Sequence, residues 1–115
     1  MAEFQTKVVV QTQVEGLHYW ENCNIEEVSF LAYPHRHIFY IRLEKEVVHD
    51  DRDIEIIKLK RDILEYINYK WFDIEKNIVN FNGLSCEMIA KKLLIKFKAD
   101  KVEVLEDNEN GAIVC

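Results

Sequence analysis

The chain has 115 residues, of which 49% are hydrophobic and 31% charged, a balance that predicts one folded domain over residues 1–115. The net charge of −6 argues against a broad nucleic-acid surface, and no apolar run approaches the roughly 18 residues of a membrane span. The three cysteines form no metal-like pair, and the N-terminus lacks the pattern of a signal peptide. We therefore expect a cytoplasmic protein without nucleic-acid or membrane partners, although a small anionic ligand could still bind a local basic pocket.

Two strands are predicted in the first half of the chain. Residues 6–16 alternate between apolar and polar side chains and are rich in Val and Thr, which predicts a strand that leads into His18. Residues 19–34 lack a clear period and predict a long loop or a short irregular strand. Residues 35–47 then alternate again and predict the second strand.

Three histidines lie at the ends of these two predicted strands. Residues two apart in a strand point to the same face, so we expect His35 and His37 to lie side by side. If the strands are neighbours, His18 comes close to both, and three neutral imidazoles could bind a metal such as zinc with a fourth position open. The alternative is that all three are ordinary polar residues at a strand edge.

Two amphipathic helices are predicted in the second half of the chain. Residues 53–69 follow an acidic turn and carry an apolar stripe with helical spacing. A connector follows, and Ser85 can then cap a second helix over residues 86–97. Glu87 lies in the first turn of that helix, where a carboxylate suits the helix dipole whether or not it contacts a ligand.

The chain ends with a predicted hairpin. Residues 101–106 alternate as a strand, residues 107–111 form a turn in which Asn110-Gly111 is a hairpin signal, and residues 112–115 form a last short strand. The order strand, strand, helix, helix, strand, strand predicts a two-layer α+β domain of the form ββααββ. We expect a four-stranded antiparallel sheet with both helices on one face.

Glu106 is a candidate ligand contact at the end of that predicted strand. It shares the inward face of the strand with Val102 and Val104, where an unpaired carboxylate would be costly. A carboxylate there could accept two N–H bonds from the edge of a pterin or guanine-like ring. The alternative is a strand-end glutamate that turns to solvent.

These residues and their order resemble the 6-pyruvoyl- and 6-carboxy-tetrahydropterin synthase family, which has the tunnelling fold. His18 and His35-Arg36-His37 match the places of its three zinc histidines, after the first strand and at the start of the second. EIIKLK at residues 55–60 resembles its Asp-Phe-x-x-Leu-Lys stretch, and Ser85-Cys86-Glu87 resembles its Thr/Ser-x-Glu stretch. Glu106 matches the glutamate that holds the amino-pyrimidine edge of the pterin.

The resemblance implies a site, an assembly and a reaction. It implies a zinc ion on His18, His35 and His37. It also implies a pterin-like ligand bound through Glu106 and the two polar residues of the helix start, Ser85 and Glu87. The expected assembly is a homohexamer of two stacked trimers. An active member would be a zinc-dependent carbon–oxygen lyase that acts on dihydroneopterin triphosphate.

The acid–base residues of the family are missing, so we assign no catalytic residue. Leu31 stands where the family has its cysteine, and Cys23 is too far upstream to replace it. No histidine follows His49, so the family's Leu-Asp-His motif is absent, and Arg36 replaces the usual glycine between two zinc histidines. We therefore expect a divergent, shortened member that binds a pterin- or purine-like ligand near zinc, with reduced or lost catalysis.

Two alternative functions stay open. The first is a non-enzymatic sponge that binds a nucleotide signalling molecule, for example a viral protein that counters a host defence. The second is an active zinc-dependent pterin synthase or lyase. The missing acid–base residues favour binding over turnover, because general acid–base catalysis contributes about 10²–10⁴-fold in rate.

Overall fold

A computed structural model describes residues 3–115, so residues 1 and 2 of the predicted domain lie outside it. The strands and helices of residues 3–115 are β1 (Thr6–His18), β2 (His35–Val47), α1 (Ile56–Trp71), β3 (Phe72–Asp73), β4 (Ile78–Asn80), α2 (Cys86–Phe97), β5 (Lys101–Glu106) and β6 (Asn110–Val114). A 3₁₀ segment, Glu26–Ala32, lies between β1 and β2. The predicted α+β class is confirmed. No helix within residues 3–115 is long and apolar enough to cross a membrane.

A long antiparallel pair, β1 with β2, forms the centre of the sheet. Both strands have 13 residues, and they stay in register from Thr6 opposite Val47 to His18 opposite His35. β5 adds to the other side of β2, with Glu106 opposite Phe39. This register brings the ends of three strands, each with a candidate site residue, to the same end of the sheet.

The predicted four-stranded arrangement is wrong, because the connector before α2 adds two strands to the sheet. Across residues 3–115 the strand order is β3-β4-β1-β2-β5-β6. β4 pairs parallel with β1, with Gly16 opposite Val79, so the sheet is mixed. β3 and β4 have two and three residues, too few for an alternating pattern to show in the sequence.

The core lies between one face of the sheet and both helices. Alternate residues of β1, β2 and β5 point to that face, because successive side chains of a strand point to opposite sides. The apolar stripes of α1 and α2 pack against them as predicted. The largest fully buried side chains are Phe39, Phe81, Ile41, Leu43, Ile63, Ile67, Ile89, Leu93, Val102 and Val104.

The start of α1 differs from the predicted bound. The helix begins at Ile56 and not at residue 53, because Glu55 acts as its N-cap and accepts the backbone N–H of Lys58 at 2.6 Å. It ends at Trp71, two residues beyond the predicted end. The second helix begins and ends at the predicted residues, with Ser85 as its cap.

The turn between β5 and β6 covers residues 107–109 and is shorter than the predicted turn of residues 107–111. Three residues join the paired residues Glu106 and Asn110, and the first two of them, Asp107 and Asn108, have left-handed φ angles of 54° and 59°. Gly111 instead lies within β6 opposite Leu105, where an added Cβ would lie 1.8 Å from the carbonyl oxygen of Val104. The glycine is needed for close strand contact and not for the turn. As a result, Asp107 directly follows Glu106 at the end of the sheet that carries the histidines.

Candidate functional site

The three predicted histidines lie close enough together to hold a metal ion. His18 is opposite His35 in the β1–β2 register, and His37 lies two residues further along β2. The distances between ring centroids are 4.5 Å for His18 and His35, 5.3 Å for His18 and His37, and 5.1 Å for His35 and His37. One ring nitrogen from each residue lies within 4.8 Å of the other two. The antiparallel pairing therefore places all three imidazoles at one point.

Each imidazole is oriented by a hydrogen bond from Nδ1 to an oxygen. The acceptors are the Leu84 carbonyl for His18 at 3.0 Å, the Tyr33 carbonyl for His35 at 2.8 Å and Oδ2 of Asp107 for His37 at 2.7 Å. Because these oxygens can only accept, Nδ1 carries the proton in each ring, and Nε2 is the nitrogen that a neutral imidazole would offer to a metal. Metal-bound histidines in proteins are oriented in this way.

Two of the Nε2 atoms are buried without a hydrogen-bond partner of good geometry. Among residues 3–115, the Nε2 atoms of His18 and His37 have this property. His18 as a whole is only 7% exposed, and its ring packs edge-on against buried Phe39, with a centroid distance of 5.2 Å. An unpartnered buried nitrogen is costly, and a metal ion is the partner that a neutral imidazole lone pair binds best. The donor set therefore fits a metal.

Glu106 faces these nitrogens. Its Oε2 lies 2.9 Å from Nε2 of His18, and its Oε1 lies 3.4 Å from Nε2 of His37. Cys86 donates its thiol proton to Oε2 at 3.6 Å. The neighbouring His18 lowers the pKa of Glu106 below its ordinary value, although burial acts in the opposite direction. Burial acts to lower the pKa of His18, but Glu106 and the Leu84 carbonyl raise it overall. The carboxylate is therefore inward and charged.

Asp107 also belongs to the site, although the sequence did not predict its contact with His37. Besides binding His37, its carboxylate accepts the backbone N–H of Ile38 through Oδ1 at 3.0 Å. That N–H bond and then His37 lower the pKa of Asp107, so it is charged at neutral pH. The only sequence feature that pointed to a role for Asp107 was its position directly after Glu106. An aspartate between two strands is otherwise typical of a turn. Asp107 thus fixes one imidazole through its charge and its position.

A cavity of about 480 Å³ opens beside the histidines. It is lined by the predicted site residues His18, His35, Ser85, Glu87 and Glu106, with His37 next to Glu106. Its size lies within the range of small-molecule sites in proteins. The structure therefore brings the predicted metal and ligand residues together at one place.

Apolar side chains complete the walls of this cavity. They belong to Tyr19, Trp20, Leu31, Leu84 and Met88. The residues come from the loop after β1, the 3₁₀ segment and the start of α2. The loop after β1 is held to the 3₁₀ segment by a hydrogen bond from the backbone N–H of Trp20 to the Leu31 carbonyl at 2.7 Å. Aromatic and aliphatic side chains of this kind offer apolar surface to a planar ring.

The cavity wall does not supply an activated thiol. Leu31, at the position of the family's cysteine, lines the cavity with an aliphatic side chain. Cys86 also lines it, but burial and then the charge of Glu106 raise the pKa of the Cys86 thiol to about 12. A thiol with that pKa is protonated at neutral pH and is a poor nucleophile.

Three residues that were compared with the family's pattern, Cys23, Arg36 and His49, do not line the cavity. Cys23 is half-buried and donates to the Val28 carbonyl at 3.5 Å. Arg36 points away from the histidines and pairs with Glu15 on the outer face, as its position in the strand predicts. His49 lies beyond the end of β2 and is more than half exposed.

No protein-family model matches the chain, and no curated protein matches it in sequence. The resemblance to the tetrahydropterin synthases therefore depends on the residues and motifs described above. The chemistry of the site depends on the geometry of the histidines, the two carboxylates and the cavity.

Proposed function

We propose that this chain is a cytoplasmic, divergent relative of the 6-pyruvoyl- and 6-carboxy-tetrahydropterin synthases that binds a pterin- or purine-like heterocycle beside a zinc ion, with reduced or lost catalysis. One observation carries the proposal. Residues that are distant in sequence, His18, His35, Ser85, Glu87 and Glu106, line one cavity of about 480 Å³. The grouping supports a metal next to a ligand pocket.

The donor set favours zinc. Three neutral imidazole nitrogens suit zinc and neighbouring transition metals, whereas Mg²⁺ and Ca²⁺ prefer oxygen ligands. His18, His35 and His37 would hold the ion, and Asp107 would orient His37. When bound, zinc supplies a Lewis acid that can polarise a hydroxyl or carbonyl group of the ligand. The protein's own contribution is to orient the three rings through the hydrogen bonds of their Nδ1 atoms.

A planar ring with adjacent N–H groups suits the cavity. The two oxygens of Glu106 can accept both N–H bonds, as the amino-pyrimidine edge of pterins and guanines requires. Tyr19, Trp20 and Leu31 offer apolar surface for the ring faces. Ser85 and Glu87 add polar groups at the start of α2. This combination of an apolar wall and a few polar groups is typical of small-molecule sites.

Binding without turnover is the function that the site supports best. Leu31 has no group that can transfer a proton, and Cys86 is held protonated. Without the cysteine and the Leu-Asp-His residues that transfer protons in the family it resembles, about 10²–10⁴-fold in rate would be lost. The same pocket could hold a nucleotide whose base has the guanine-like edge, so the sponge function uses the same residues.

We also propose that the protein assembles as a homo-oligomer, and that the hexamer of the family is the form to test. β6 is at one edge of the sheet, and an unpaired edge is a site for pairing with a second copy. Phe30 is 64% exposed and Tyr33 is 73% exposed, both close in sequence to His35. Light scattering at micromolar concentration should give a mass well above 13.7 kDa, and a monomer would contradict the assembly.

Calorimetry with neopterin and 7-deazaguanine tests the ligand proposal. We expect binding to the wild-type protein that is weaker by about tenfold or more in Glu106→Gln, because a charged hydrogen-bond partner is lost. Glu103→Gln, on the opposite face of β5, is the matched control and should bind normally. Failure of both compounds to bind, or equal binding by the two variants, would contradict the proposal.

A product assay tests the loss of catalysis. Dihydroneopterin triphosphate, incubated with the zinc-loaded protein, should be converted slowly or not at all. Product formation with a kcat on the order of 10 s⁻¹, which is typical of enzymes, would contradict the proposal that catalysis is reduced or lost.

A further inference from the structure

The Glu106 carboxylate faces the histidines at the wall of the cavity. Both of its oxygens are engaged there, one 2.9 Å from Nε2 of His18 and the other 3.4 Å from Nε2 of His37. The Cys86 thiol, at the start of α2, donates a hydrogen bond to Oε2, the oxygen next to His18. A carboxylate that served only an entering heterocycle would not need to contact either imidazole.

These contacts do not have the geometry of hydrogen bonds. At 2.9 Å an oxygen in line with a ring N–H would be a good acceptor. Nevertheless, among residues 3–115 the Nε2 atoms of His18 and His37 have no hydrogen-bond partner. The oxygens therefore lie beside the nitrogens, off the axis along which each ring nitrogen donates or shares its lone pair.

The distances do match those between two ligands of one ion. Ligand atoms about 2.0–2.2 Å from zinc, at angles of about 90–110° to each other, lie about 2.9–3.5 Å apart. The distances of 2.9 Å and 3.4 Å from Glu106 to His18 and His37 fall in this range. The two lone pairs and the carboxylate can thus bind the same ion.

We propose that Glu106 is a fourth metal ligand in the protein without a bound heterocycle. This inference rests on the proposed metal site of three histidines. It gives a closed set of three nitrogens and one oxygen, in which no position is left for water. A heterocycle that enters the cavity must then take Glu106 from the metal, which couples ligand binding to metal coordination.

Cobalt(II) and azide provide a direct test, because the visible spectrum of bound Co²⁺ reports its ligands and azide binds only an open or exchangeable position. The Co²⁺-loaded wild type and the Glu103→Gln control should keep their spectra as azide is added. Co²⁺-loaded Glu106→Gln should change its spectrum at an azide concentration at least about tenfold lower. We also expect Glu106→Gln to bind Co²⁺ about tenfold more weakly or worse.

The possible outcomes separate this inference from the proposed function. If the wild type binds Co²⁺ but responds to azide as readily as Glu106→Gln does, Glu106 is not a ligand and the histidine site stands. If the wild type binds no Co²⁺, both proposals are wrong. If Glu106→Gln does not fold, the azide titration of the wild type decides the matter, since an immediate spectral change would show an open position.

Discussion

The two sides of the cavity differ in how their polar groups are held. On the histidine side, the β1–β2 register aligns the three rings, and each Nδ1 donates to an oxygen of a neighbouring residue. On the α2 side, the Ser85 hydroxyl accepts the Met88 N–H as a helix cap, and Cys86 donates to Glu106. The histidine side is therefore arranged for the proposed ion by the fold alone, whereas the polar groups of the α2 side also stabilise the helix start. Changes on the two sides should have separable effects.

The largest effect should come from removing a metal ligand. We expect the purified wild type to carry close to one zinc per chain and His35→Ala to carry none, because two imidazoles hold zinc much more weakly than three. His49→Ala is the matched control, since His49 is exposed and lies outside the cluster. Metal analysis after purification without chelators measures both. Equal zinc in both variants would show that the three histidines do not form the site.

A smaller loss of metal should follow from changing the partner of His37. Asp107→Asn keeps an oxygen for the Ile38 N–H but loses the charge that orients and polarises the imidazole. Zinc affinity, measured by competition with a chelating dye, should fall about 10–100-fold. Asp51→Asn, in an exposed turn, should leave it unchanged. If the two variants bound zinc equally, Asp107 would have no role in positioning His37.

On the α2 side, the main effect should be on stability. Ser85→Ala removes the cap of α2 and should lower the free energy of unfolding by about 1 kcal/mol. Zinc content should be unchanged, because the Ser85 hydroxyl contacts none of the three histidines. Urea denaturation of the two proteins measures the difference. A stability equal to that of the wild type would mean that the cap seen at Ser85 contributes nothing.

The smallest effect concerns the reactivity of the cysteines at neutral pH. Cys86 should react with iodoacetamide far more slowly than the exposed Cys115, because burial and then Glu106 raise the pKa of its thiol to about 12. The raised pKa also predicts that the contribution of this thiol to stability is complete below pH 9. That contribution should be lost as the pH rises toward 12, because the Cys86 thiol of the unfolded chain releases its proton at a lower pH than the thiol of the folded chain. The alkylation of both cysteines is followed by mass spectrometry. If Cys86 were alkylated as fast as Cys115, the raised pKa of Cys86 would be wrong, and so would the pH dependence of stability predicted from it.

Much of the sheet and both helices could be predicted because they have one buried and one exposed face. β2, α2 and β5 have the predicted bounds, and β1 ends at His18. Alternation identifies such strands directly, and the apolar spacing identifies the helices. β3 and β4 could not be found in this way, since two or three residues carry no period.

The cluster of three histidines could be predicted from the sequence, but the groups that orient the three rings could not. His18, His35 and His37 share a strand face, and the antiparallel register then brings them together. Asp107 could not be assigned, because its contact with His37 depends on where the β5–β6 turn meets β2. The carbonyl groups that bind the other two imidazoles leave no trace in the side-chain pattern.

X-ray absorption at the zinc edge of the purified wild-type protein tests the histidine site most directly. We predict a first shell with three imidazole nitrogens at about 2.0–2.1 Å and one oxygen at a similar distance. His35→Ala should lose this signal, and His49→Ala should keep it. A protein without zinc, or a shell with sulfur ligands at about 2.3 Å, would contradict a metal centre built on His18, His35 and His37.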